Sequence, residues 1–281
     1  MKTGIRVLSL PLMLCFALVL AAQAHAGLEW NLVKNIDLLD APRDLAVSPD
    51  GSKAYVLCDR SIQLLSIKDR RLTGSLPVGS GYSRIAIASG GDELLVTGGS
   101  KQVSIIQLAQ VYDLPQGSSP AIGNPASPVS ITAFLDYQCP YCSKSYPLLE
   151  QVLAKYPDTV KLVIKHFPLK FHSAAEPAAI AALASARQGK YKELSAQLMQ
   201  LSGKLSEQAI RQAALQSGMD MVQFDAALRD PAIKKQIGDD MALGSACDVR
   251  GVPSIYINGR AIKSYTLESI SQMIERELKK S

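Results

Sequence analysis

Cysteine is scarce in this 281-residue chain: five residues, too few for a small domain stapled by disulfides. The 19 Gly follow no three-residue period, which excludes a collagen-like chain. The net charge of +5 is carried by no dense basic run, so nucleic acid is not expected as a partner. Past the N-terminus no stretch stays apolar over the roughly 18 residues of a spanning helix, so the processed protein is expected to be soluble. What is present is a hydrophobic fraction of 47% beside 20% charged residues. That balance excludes wholesale disorder and supplies a core. The length exceeds the roughly 100–200 residues of one domain, so two are expected.

The first segment is set apart. Lys2 and Arg6 precede an apolar stretch from Val7 to Ala22, followed by Ala24-His25-Ala26. A basic start, a short apolar run and a small-x-small site predict a secretory signal peptide over residues 1–26. The run is shorter than the roughly 20 residues of a membrane anchor. Cys15 would leave with it, and Leu14 before it does not suit a lipoprotein site. Export to the periplasm or beyond follows. Cys58, Cys139, Cys142 and Cys247 then sit in an oxidising setting, where a thiol pair is bridged or redox-active.

The first half repeats itself. Residues 45–56 (LAVSPDGSKAYV) align with residues 85–96 (IAIASGGDELLV) at an offset of 40. The match continues from residues 62–65 to 103–106 with one insertion, and residues 32–38 are echoed by 72–78. A period near 40 with short strands fits one blade of a propeller. In the Pro-Asp-Gly turn, Pro presets φ and Gly supplies a positive φ. The segment resembles YVTN and WD40-like repeats, so a small all-β domain of two blades is expected over residues 27–114. Two blades cannot close a ring, and stacked repeats need their faces covered. Self-association through these repeats, packing on the neighbouring domain, or a separate partner would each cover them. Residues 115–128 hold four Pro, two Gly and three Ser, a linker composition.

The chemistry lies in residues 129–281. Residues 129–136 (VSITAFLD) predict a buried strand. Tyr137-Gln138-Cys139-Pro140-Tyr141-Cys142 follows, then apolar residues at helical spacing. The Cys-x-x-Cys therefore falls where a strand gives way to a helix. At a helix N-terminus the free N–H groups and dipole favour a thiolate, and Pro suits the first turn. A zinc site would need a second ligand pair, and Cys247, His166 and His172 do not form one. No metal or cofactor is expected. A purely structural bridge would stabilise little across so short a loop.

Residues 251–259 (GVPSIYING) place Pro253 before a short β run closed by an Asn-Gly hairpin turn. Pro253 could be a cis-proline presenting backbone groups to an extended peptide, or an ordinary trans-proline opening an edge strand. His166 is expected to be packed or hydrogen-bonded. His172, before Ser173 as helix cap, is expected to help a helix start. The charges of residues 275–280 read as a solvated face. Cys58 and Cys247 would be two buried thiols or an interdomain bridge, for which their Cα atoms must approach within ~7 Å.

Taken together, FLDYQCPYC (134–142), KHFPL (165–169) with His172 and an Ala-rich helix, and GVPSIYING resemble the thioredoxin-like DsbA family. The resemblance spans residues 126–281. It implies an α/β thioredoxin-like fold with a helical insert over about 174–246, and a thiol:disulfide oxidoreductase. In it Cys139 would attack, Cys142 would be the buried partner and Pro253 the cis-proline. Pro140, Tyr141, Val252 and Pro253 would face the substrate. Cysteine-containing exported proteins and a membrane redox partner are implied as partners. Val252 before the proline is similar to the oxidases, whereas an oligomeric module would favour isomerisation or reduction. Some relatives carry a buried acid six residues before the first cysteine; here that position is Ala133, with Asp136 nearby. A redox-inactive scaffold that docks a partner is the rival class.

Overall fold

The computed structural model describes residues 29–280. The signal-peptide expectation therefore lies outside the described residues. The chain divides into two compact units, Met1–Ile106 and Gln107–Ser281. Among the described residues no helix is long and apolar enough to cross a membrane.

In the first unit, β1 (Pro42–Val47), β2 (Lys53–Cys58), β3 (Ser61–Ser66) and β4 (Arg71–Pro77) form an antiparallel sheet in sequence order. A second sheet holds β5 (Tyr82–Ile87), β6 (Glu93–Gly98) and β7 (Val103–Gln107). The repeat seen in sequence is carried into the backbone. A register shift at Pro42/Asp44 recurs at Tyr82/Arg84. The β1–β2 turn is closed by Gly51 N–H donating to Ser48 O, and the β5–β6 turn by Gly91 N–H to Ala88 O. Both glycines have positive φ, as the turn type demands. The Asp44 carboxylate accepts from Ile85 N at 3.0 Å, tying one sheet to the other. Seven strands in two sheets close no propeller among the described residues. Gly98 stands where the first repeat has Cys58, because a Cβ there would collide with the Gly81 carbonyl.

The second unit is built on one five-stranded sheet. Its elements are β8 (Ala121–Gly123), β9 (Val129–Leu135), α1 (Pro140–Lys155), β10 (Val160–His166) and α2 (Ala175–Ala186). There follow α3 (Tyr191–Gln200), α4 (Glu207–Gln216), α5 (Met221–Leu228), α6 (Pro231–Ala246), β11 (Ser254–Ile257), β12 (Arg260–Ala261) and α7 (Leu267–Leu278). The strand order is β12-β11-β9-β10-β8. β9 runs parallel to β10 and antiparallel to β11. β9 and β10 are buried almost throughout, as strands covered on both faces must be, which is why they read as unbroken apolar runs. Ile131, Ala133 and Leu135 join the main core, while Phe134 packs with Cys247, Val249 and Tyr256 in a second cluster. The α/β order is the one the resemblance implied. α2 to α6 occupy the place of the expected insert and are amphipathic or Ala-rich, as their spacing suggested.

Two differences concern boundaries. Residues 115–128, expected as a linker, carry β8, which pairs with β10 at Ala121, Ile122 and Gly123. Ser119 and Ile122 are buried. The Pro, Gly and Ser there shape turns at a sheet edge, with Gly117 and Gly123 at positive φ. A three-residue strand is too short to show alternation. Likewise Tyr112 and Leu114, expected with the blades, pack in the second unit's Phe134 cluster, because Tyr112 N–H donates to Gly259 O. The Asn258-Gly259 turn forms the expected hairpin with both residues at positive φ.

Candidate active site

The site forms where β9 ends and α1 begins. Cys139 is the helix cap and Pro140 the first helical residue, where a missing N–H costs no bond. Cys139 is nearly buried and Cys142 fully so. One helical turn brings the second sulfur beneath the first. All four described cysteines are free thiols. Burial pushes the Cys142 thiol far above its ordinary range, opposed by the backbone N–H of Asp136, which donates to its sulfur at 3.4 Å. The Cys139 thiol donates to Val252 O at 3.7 Å. The Val252–Pro253 peptide bond is cis. Residues 113 positions apart thus meet because β11, which follows Pro253, pairs with β9, which precedes Cys139.

An open groove of about 690 Å³ lies against Val252 and Pro253, with Tyr141, Lys144, Leu148 and Tyr265 also on its walls. Tyr141 is exposed, and Lys144 Nζ lies 5.9 Å from its ring centroid. The Tyr265 hydroxyl donates to Pro253 O at 2.7 Å. Pro140, Tyr141, Val252 and Pro253 are therefore all brought beside Cys139 and Cys142. Tyr265 was missed, since a lone Tyr in a loop carries no sequence signal.

Asp136 occupies a different place from that expected of a strand acid. It follows the last residue of β9 and is buried. Its Oδ1 accepts from Gln138 N at 2.7 Å; its Oδ2 accepts from Leu169 N at 2.9 Å and meets His172 Nδ1 at 2.7 Å. The bond to the residue two positions on is an Asx turn, a signal legible in Asp-Tyr-Gln. The carboxylate thus ties the approach to Cys139 to the loop after β10. His172 helps α2 to start through its backbone, its carbonyl accepting from Ala175 N at 3.2 Å. α2 is capped at Ala174 without a side-chain bond from Ser173. Ala174 N–H instead donates to Gln138 Oε1 at 2.7 Å, and the His172 ring turns to Asp136.

His166 is packed and hydrogen-bonded, as expected. It is fully buried, its Nε2 is 3.3 Å from the Tyr191 hydroxyl, and the Tyr137 and Tyr191 rings lie against it. Burial, reinforced by Lys165, pushes its pKa down to about 3. The unfolded chain takes up a proton near pH ~6.5 that the folded one refuses. Stability therefore falls as pH drops through the window from 6.5 towards 3. In urea titrations at pH 6, 5 and 4, His166→Gln is expected to flatten that fall by up to about 1.4 kcal/mol per pH unit. An unchanged slope would show that His166 does not set it.

Cys58 and Cys247 are unbridged thiols, each buried in its own unit. Burial raises both above the usual thiol range. The C-terminal charges are not all solvated: Glu277 is buried and pairs with Arg260 and Lys280.

Comparison with known proteins places these features. A family profile described as thioredoxin matches residues 116–276. Among solved structures, the chain is similar to a thioredoxin-like oxidoreductase from Silicibacter pomeroyi, 29% identical, with a TM-score of 0.53 over 59% of this chain and 94% of that one. It is similar to a periplasmic thioredoxin-like protein from Salmonella enterica serovar Typhimurium, 28% identical, TM-score 0.52, over 57% and 90%. Among curated proteins it is similar to Na(+)/H(+) antiporter NhaA 1 of Mycolicibacterium gilvum, 30% identical over 141 residues, 49% of this chain and 23% of that protein. The match thus spans about a quarter of that relative's length. With more than half of its length matched by the profile, the chain belongs to the thioredoxin family.

Proposed function

We propose that this protein is an exported thiol-disulfide oxidoreductase that exchanges disulfides with cysteine-bearing proteins through Cys139. The observation that carries this is one arrangement: a helix-capping Cys139 against Val252 O at a cis-proline, with Cys142 buried one turn below. In the oxidising direction, a substrate thiolate attacks Cys139 of the Cys139–Cys142 disulfide and releases the Cys142 thiolate. A second substrate thiolate then attacks the substrate sulfur of the mixed disulfide and releases Cys139. The substrate loses two electrons and two protons, and the cysteine pair gains them. Reduction or isomerisation runs the same steps from the dithiol, with Cys142 resolving the mixed disulfide. The groove beside Tyr141, Val252 and Pro253 suits an extended segment of substrate, whose backbone would pair at the cis-proline. A membrane redox partner would reset the pair, and self-association through the N-terminal sheets would place several such sites on one particle. The names of the similar oxidoreductase and periplasmic protein support this class and location.

The test is the reduction potential of the Cys139/Cys142 pair against glutathione, beside insulin-reduction and peptide-oxidation assays. A potential near about −120 mV marks an oxidant, and one near about −270 mV a reductant. Absence of turnover in both assays favours the scaffold reading instead. Tyr265→Phe frees the Pro253 carbonyl from its hydroxyl. Loss of one hydrogen bond of about 1 kcal/mol is expected to lower kcat/KM for a peptide substrate about fivefold, with the reduction potential unchanged.

A further inference from the structure

The two sheets of the first unit differ by one strand: β3 carries β4 on its outer side, whereas β7 carries no strand there among the described residues. We propose that residues 32–38 of a second copy of this chain add to β7 as that missing fourth strand. This deepens the self-association proposed above and rests on it.

Sequence equivalence names the strand. β1 and β2 correspond to β5 and β6 at an offset of 40, and β3 to β7 at 41. The strand that pairs with β3 is β4, and its sequence equivalent lies 40 residues upstream, at residues 32–38. Leu32, Ile36 and Leu38 stand for Leu72, Leu76 and Val78. Exposure shows what is missing. Ile62 on β3 is opposite Leu76 and 0% exposed. Its equivalents on β7 lie open: Val103 is 58% exposed and Ile105, equivalent to Leu64, 63%. An open edge of this kind is a template for strand addition. Residues 32–38 belong to no strand, with Leu32 72% and Val33 59% exposed.

The contacts of the segment favour a second copy over the same chain: Ile36 and Leu38 line one hollow with Leu45, Val56 and Leu65 of their own first sheet. The chain's own segment is held near its first sheet, by Lys34 Nζ donating to Arg70 O and Leu39 N–H to Gln63 Oε1. The Ile62–Leu76 pairing, carried over by the repeat, sets Val103 opposite Ile36 of the neighbour. Rings of about 4–8 blades close, which at two per chain means roughly two to four copies.

The experiment uses the full processed chain with Cys139→Ser and Cys142→Ser to silence exchange. One preparation carries Ile36→Cys and another Val103→Cys. The two are mixed, oxidised mildly, run on non-reducing gels and weighed by light scattering. The expected result is a mass of two to four protomers and an interchain crosslink in the mixture that neither preparation gives alone. Deleting residues 29–38 from the unmutated chain is expected to return it to a monomer that still reduces insulin. A monomeric mass at micromolar concentration overturns both the strand addition and the self-association. A multimer that lacks the 36–103 crosslink, or that survives the deletion, overturns the strand addition alone. Neither outcome touches the redox reading, which the insulin assay tests separately.

Discussion

Cys139→Ala is expected to abolish turnover in both insulin reduction and peptide oxidation, a loss of at least about a thousandfold. In the proposed exchange every step passes through the Cys139 sulfur. Among the described cysteines only Cys139 caps a helix N-terminus and faces Val252 O, so no other described thiol is expected to substitute. Cys142→Ala is expected to behave differently. Cys139 remains at the helix cap and still attacks a substrate disulfide, but nothing resolves the product. The variant should therefore accumulate a covalent mixed disulfide that non-reducing electrophoresis resolves and a reductant releases. Equal loss in both variants without a trapped adduct would contradict the division of roles between them. The burial that raises the Cys142 thiol leaves it fully enclosed, whereas Cys139 keeps a small exposed area, so substrate attack is expected at Cys139.

Lys165→Met is expected to destabilise the second unit by about 3–5 kcal/mol at neutral pH. Lys165 Nζ lies 3.1 Å from Asp240 Oδ1, and both side chains are almost fully buried. The same ammonium donates to Gln116 O and Ser119 Oγ, at 2.9 and 3.0 Å. It thereby holds the segment before β8 against β10 and α6. Removing the cation leaves a buried carboxylate with less compensation. Burial already raises the Asp240 carboxyl above its usual range despite Lys165, and the variant would raise it further. A folded-state pKa above the unfolded one means the folded protein holds the proton more tightly. Stability lost at neutral pH is then regained as pH falls through that raised pKa. Urea unfolding at pH 7 and pH 5 should show the deficit shrinking at the lower pH. Adding Asp240→Leu should restore most of it, because an apolar pair of similar volume costs less than an orphaned charge. A deficit independent of pH and unrelieved by the second substitution would point to lost packing instead.

Local signals told much of this in advance. The apolar run of β9, the Pro at the first turn of α1 and the helical spacing after it located Cys139 and Cys142 at a strand-to-helix junction. The Asn-Gly pair announced its hairpin, and the 40-residue repeat announced strands that recur down to the same register shift. These features depend on neighbouring residues, so the chain displays them before it folds. What was misread depends on distant partners. Residues 115–128 looked like a linker because their composition suits turns, and only pairing with β10 makes three of them a strand. Ser173 looked like a helix cap, but α2 is capped at Ala174 and the His172 ring turns to Asp136. Glu277 looked solvated, but Arg260 and Lys280 hold it in a buried pair.

By itself, then, the order of residues established the repeat, the position of Cys139 and Cys142 at a helix start and the helical stretch between the two strand groups. Each follows from propensity and spacing over a few turns of chain. Tertiary structure alone decided that Val252 O faces Cys139 and that Asp136 gathers Leu169 and His172. Those facts rest on contacts 30 to more than 100 residues apart in sequence, set by the strand order and by which backbone groups find a partner on closure of the sheet.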